Sequence, residues 1–153
     1  MAATFEFSGR IARPVEEVYE AVADPQHLSR YFTTGGAQGR AETGATVTWS
    51  FHDFPGSFPV SILEAESPRR IVLRWEAADS ATHPDGPYET TTTLSFEGLE
   101  DGRTLVRIAE QGFRDDASSV HASYGNCSGW MQMLCAMKAY LEHGVNLREG
   151  MFA

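Results

Sequence analysis

GNCSGWMQMLCAMKAYLEHG, residues Gly125 to Gly144, holds three of the protein's five methionines and one of its three tryptophans within eight residues. Wound at ~100° per residue, it puts Cys127, Trp130, Met133, Leu134, Met137, Tyr140 and Leu141 on one arc of about 140°, with Gln132, Ala139 and His143 opposite. Asp115 or Asp116 upstream can cap such a helix, and Gly144 supplies a left-handed stop after His143. At ~1.5 Å per residue the helix spans roughly 40 Å, enough to cross a whole sheet. Gly125 and Gly129 weaken its first half, since Gly costs ~1 kcal/mol relative to Ala in a helix. Close packing against a sheet is the expected reason for them; room for the helix to flex around a ligand is the alternative.

What this helix crosses is written upstream. Thr4 to Ala12 alternates, with Phe5, Phe7, Gly9 and Ile11 on one side, and predicts a strand. Pro14 predicts a helix start, and Val15, Val18, Tyr19 and Val22 follow at helical spacing. Asp24-Pro25 stops that helix and caps a short second one carrying Leu28, Tyr31 and Phe32. A short, weak strand over Gln38–Glu42 follows the glycines at 35, 36 and 39. Further inward rows are Val47, Trp49 and Phe51; Phe58, Val60 and Ile62; Ile71, Leu73 and Trp75; Tyr88, Thr90, Thr92, Leu94 and Phe96; and Val106, Ile108 and Glu110. Turn signals at His52–Gly56, His83–Pro87 and Asp101-Gly102 separate several of these rows. Short connections between strands imply an antiparallel sheet with one buried face. The fold class is therefore α+β: one strand, two helices, six strands and a long helix, in a single domain over residues 1–153.

Composition removes several function classes. Hydrophobic residues make up 42% of the chain and charged ones 22%, ordinary values for a globular protein. A formal charge of −9, with twelve scattered basic residues, argues against nucleic acid as a partner. No apolar run approaches the ~20 residues of a membrane span. The N-terminus has neither the basic nor the apolar region of a signal peptide, so the expected location is cytoplasmic. Cys127 and Cys135 stand roughly 12 Å apart along one helix, too far for a disulfide. The five histidines are dispersed without an i, i+4 pair, so no metal and no cofactor is expected.

Three stretches carry a family resemblance. RIARPVEEVYEAVADPQHLSRYF (Arg10–Phe32) resembles an opening strand, Pro-led helix and Asp-Pro step; GATVTWSF (Gly44–Phe51) resembles an early hairpin strand; SGWMQMLCAMKAYLEHG (Ser128–Gly144) resembles a Gly-Trp start to a closing helix. In this order they are similar to the START-related helix-grip superfamily, SRPBCC, and more narrowly to homologues of the heat-shock protein 90 ATPase activator. That resemblance implies a curved sheet wrapped around the last helix, with a cavity between them that takes a hydrophobic small molecule. One departure is Tyr31-Phe32, where the family often has a tryptophan.

Candidate site residues follow from pattern and resemblance together. Met133 and Met137, with Trp130, would face Trp49, Trp75 and Phe51; methionine adapts its shape cheaply, which suits a pliable lining as well as a plain core. Glu110 continues the inward row of Val106 and Ile108. A buried carboxylate could orient a ligand or act as general acid or base, unless the strand ends there and Glu110 reaches water. Tyr88, Thr90 and Thr92 are its natural hydroxyl partners. The ligand-binding set is thus Trp49, Trp75, Tyr88, Thr92, Glu110, Trp130, Met133 and Met137. Non-catalytic binding of a small hydrophobic or aromatic ligand is the leading expectation. An enzyme resembling polyketide cyclases, with Glu110 as its acid or base, and a co-chaperone-like module with a protein partner are the alternatives. His52-Asp53, on opposite strand faces, and His121 with Tyr124, near the helix start, are weaker candidates.

Overall fold

A computed structural model describes residues 1–153. The elements are β1 (Phe5–Ile11), α1 (Val15–Ala23), α2 (Pro25–Leu28), β2 (Gly36–Gln38), β3 (Thr46–Phe51), β4 (Phe54–Glu66), β5 (Arg70–Glu76), β6 (Glu89–Gly98), β7 (Thr104–Gln111) and α3 (Ala117–His143). Seven strands form one antiparallel sheet in the order β1-β7-β6-β5-β4-β3-β2. Consecutive strands from β2 to β7 are spatial neighbours, and β1 closes the far edge on β7, so every connection but the helical one is a hairpin.

Local chemistry accounts for the boundaries. Asp116 caps α3 by accepting a hydrogen bond from the Ser119 amide at 2.9 Å, and Gly144 ends it at φ +66°, a conformation costly for any residue with a Cβ. Asp24 caps α2 through the Gln26 amide. Pro14 stands one position ahead of α1 and contributes its carbonyl, which accepts from the Val18 amide. Three expectations shift: the weak strand runs over Gly36–Gln38 rather than Gln38–Glu42, β4 begins at Phe54, inside the segment expected to be a turn, and α2 ends at Leu28, which leaves Tyr31 and Phe32 in the turn after it. The β4 difference has a physical cause, because a bulge between Ser50 and Phe51 lets Phe51 pair with Phe54 and tightens the hairpin.

The inward rows are buried. Trp49, Val60, Ile62, Ile71, Leu73, Thr90, Thr92, Leu94, Val106, Ile108 and Glu110 all lie inside, against Trp130, Met133, Leu134, Ala136 and Met137 of α3. Helix and sheet pack closely at Gly9, where an added Cβ would meet Leu134 Cδ2 at 3.0 Å. The C-terminal half of α3 thus closes on the sheet. Nearer its N-terminal end, one side of the helix around Gly125 and Gly129 borders open space.

Candidate functional site

Where α3 stands off from the sheet, a cavity of about 740 Å³ opens to solvent. Its wall is aromatic: Phe32 from the turn after α2, Phe51, Phe54 and Phe58 from the β3–β4 hairpin, Trp75 at the end of β5, Tyr88 before β6, and Trp130 from α3. Gly125 and Gly129 complete the helical side. A Cβ built on either would find nothing within 4 Å, so these glycines do not serve close packing as expected; they keep the cavity wide.

The tryptophans are fixed from behind. Trp75 and Trp130 lie with ring centroids 5.2 Å apart, and Trp49 meets Trp75 edge-on at 5.8 Å. Glu110 holds the first two by their polar edges. Its Oε2 accepts from Trp75 Nε1 at 2.9 Å and Thr90 Oγ1 at 2.7 Å; its Oε1 accepts from Trp130 Nε1 at 3.2 Å. Asn126 Nδ2 lies 3.1 Å from both oxygens. The donors are two indoles, an amide and a hydroxyl, and a carboxylate supplies acceptors only, so polarity matches throughout. Glu110 is 1% exposed and does not reach the cavity surface. In this arrangement it sets the orientation of the aromatic wall and has no oxygen left for a substrate.

Tyr88 is held from outside. Its hydroxyl donates to Asp79 Oδ1 at 2.6 Å, and Ser118 and Ser119 Oγ donate to Asp79 Oδ2 at 2.9 and 3.1 Å. Burial pushes the Asp79 carboxyl up, but these three hydrogen bonds outweigh it and leave the group below the usual aspartate range. Burial, followed by the hydrogen bond to Asp79, raises the Tyr88 phenol. Asp79, His83 and Asp116 bring ligand atoms within 4.8 Å of one another. Arg114 Nη1 donates to His83 Nδ1 at 2.7 Å, so Nε2 carries the hydrogen that Asp116 Oδ2 accepts at 2.8 Å. The cluster ties the β5–β6 loop to the start of α3.

The expected site residues therefore divide. Trp75, Tyr88 and Trp130 line the cavity, and Glu110 stands directly behind it. Trp49, Thr92, Met133 and Met137 sit in the closed core, so the vacancy expected beside the two methionines lies instead toward the N-terminal end of α3. Thr90 is the hydroxyl partner of Glu110; the Thr92 hydroxyl is buried without a partner, and Tyr88 turns to Asp79. His52 and Asp53 form no pair with each other, since Asp53 meets Arg148. His121 and Tyr124 are exposed and outside the cavity wall. Phe58, Asn126 and Arg148 are wall residues that the expected set lacks. Asn126 had a signal, one helical turn before Trp130 on the same face; Arg148 had none, lying beyond the helix stop.

The model of the Activator of Hsp90 ATPase homolog 1-like protein family matches residues 12–142. The chain belongs to this family. Among solved structures, an Activator of Hsp90 ATPase homolog 1-like chain such as this one resembles a Staphylococcus saprophyticus protein at 27% identity and TM-score 0.75, covering 95% of this chain and 96% of that one. DynU16, a protein in the dynemicin biosynthetic locus, is 23% identical with TM-score 0.74, over 92% of this chain and 48% of that one. The Aha1 dimer from Colwellia psychrerythraea is 17% identical with TM-score 0.72, over 93% and 98%. These likenesses show the helix-grip fold. No curated protein sequence matches. No helix is long and apolar enough to cross a membrane.

Proposed function

We propose that this Activator of Hsp90 ATPase homolog 1-like protein binds a small, flat, largely apolar molecule in the cavity between the first half of α3 and the sheet, without transforming it. The observation that carries the reading is the aromatic-walled cavity of about 740 Å³, a size within the ~300–1,000 Å³ of small-molecule sites. The wall rings are pre-set by Glu110 and the surrounding stacks, so a planar guest meets them without the cost of ordering them. A two-ring aromatic burying on the order of 200 Å² of apolar surface would gain ~5 kcal/mol, a dissociation constant of roughly 200 μM from burial alone.

The neutral dye N-phenyl-1-naphthylamine tests this. Saturable one-to-one binding is expected, with quenching of tryptophan fluorescence. Gly129→Leu, which fills the helical side of the cavity, should abolish it while leaving the protein folded. Binding that survives Gly129→Leu unchanged, or no saturable binding to the parent protein, overturns the reading.

A further inference from the structure

We infer that the cavity selects aromatic ligands bearing an anionic group, and that Arg148 is the residue that selects them. The inference rests on the ligand-binding reading above and adds the ligand's polar half. Arg148 belongs to the segment after Gly144, outside the family match over residues 12–142. That segment returns to the cavity and makes Arg148 part of its wall.

The placement is unusual for an arginine. Arg148 is 8% exposed, with its guanidinium over the rings of Phe51 at 4.7 Å, Phe32 at 5.4 Å and Phe152 at 4.9 Å. Nη1 donates to Gln132 Oε1 at 2.9 Å, and Nη2 meets both oxygens of Asp53 at 3.2 and 3.3 Å. Nε is buried with no partner. A guanidinium offers five N–H groups, and its Nε–Nη2 edge matches a two-oxygen anion. Asp53 sits out of register with that edge, both oxygens on Nη2 and neither on Nε. Its side chain is 27% exposed, on the β3–β4 hairpin, from which it can swing to water. A carboxylate or sulfonate on an aromatic guest would then take both donors of the edge while its ring lies on the aromatic wall.

The other charges at the wall are Glu76 and Glu89, both exposed at strand ends. Water and salt screen them, whereas the buried guanidinium is screened little. With Asp53 swung to water, the guanidinium is the charge that an anionic guest meets at the wall.

The test uses two dyes with one aromatic skeleton: 8-anilinonaphthalene-1-sulfonate, an anion, and neutral N-phenyl-1-naphthylamine. Arg148→Gln should weaken the sulfonate about tenfold or more beyond any loss it causes for the neutral dye, as for loss of a charge-assisted contact. Asp53→Asn, which removes the competing carboxylate, should tighten the sulfonate severalfold relative to the neutral dye. If Arg148 served only to pin the C-terminal segment, both substitutions would weaken both dyes alike, and that result overturns the inference. An unaltered sulfonate affinity in Arg148→Gln does the same. Failure of the neutral dye to bind the parent protein removes the ligand-binding reading itself, a separate outcome.

Discussion

Glu110 is the residue on which the geometry of the site turns. Four donor groups converge on one carboxylate, and two of them carry the cavity's indole rings. Glu110→Gln should therefore act structurally: its amide NH₂ meets donors with a donor. A loss of about 2–4 kcal/mol in urea unfolding is expected, as for a broken buried network, together with a changed near-ultraviolet tryptophan spectrum. Asp79 and Asp116 make a second prediction. Both carboxyls lie below the usual aspartate range: Asp79 through the hydroxyl bonds that outweigh its burial, Asp116 through the Ser119 amide and then His83. In the pH range between folded and ordinary values the native state binds fewer protons than the unfolded chain, so stability rises with pH there. Their contribution is full above the ordinary aspartate value of ~4 and is lost as pH falls below it. Melting temperature followed from pH 6 to 2 should fall below about pH 4, and the fall should be shallower in Asp79→Asn.

Element by element, the long closing helix holds the sharpest tension. Gly129 has open space at its Cβ and costs helix stability, so Gly129→Ala should raise stability by about 0.5–1 kcal/mol while weakening dye binding through the methyl it adds to the cavity. Chemical denaturation and dye titration on the same samples check both signs. Gly9→Ala makes the contrast, since its Cβ would press on Leu134 and offers no such gain. The ends of α3 were legible in the sequence because caps and stops are local: Asp116 and Gly144 act through neighbours a few residues away. The purpose of Gly125 and Gly129 was not. Whether a helical glycine faces backbone or empty space depends on strands up to a hundred residues upstream, and period alone carries no such distance.

For the molecule as a whole, the same distinction runs through fold and site. Alternation placed Glu110 on the inward row, and its burial follows from register with β1 and β6. Cavity position depends instead on how far the sheet curves from the helix, and bulges at Ser50/Phe51 and Ile62/Glu64 help to shape that curve. Met133 and Met137 therefore fall in core while Gly125 and Gly129 border space, although one amphipathic stripe contains the first pair and one run of sequence all four. The family fold is common to relatives of under 30% identity. The ligand-selecting features proposed here lie in wall residues and in a segment beyond the family match. The most direct test of the central claim is a ¹⁵N correlation spectrum of the three tryptophan indoles during titration with N-phenyl-1-naphthylamine. Trp75 and Trp130, on the cavity wall, should shift saturably together while Trp49, in the core behind them, stays nearly still. Shifts confined to Trp49, or no saturable shift in any indole, would contradict the account.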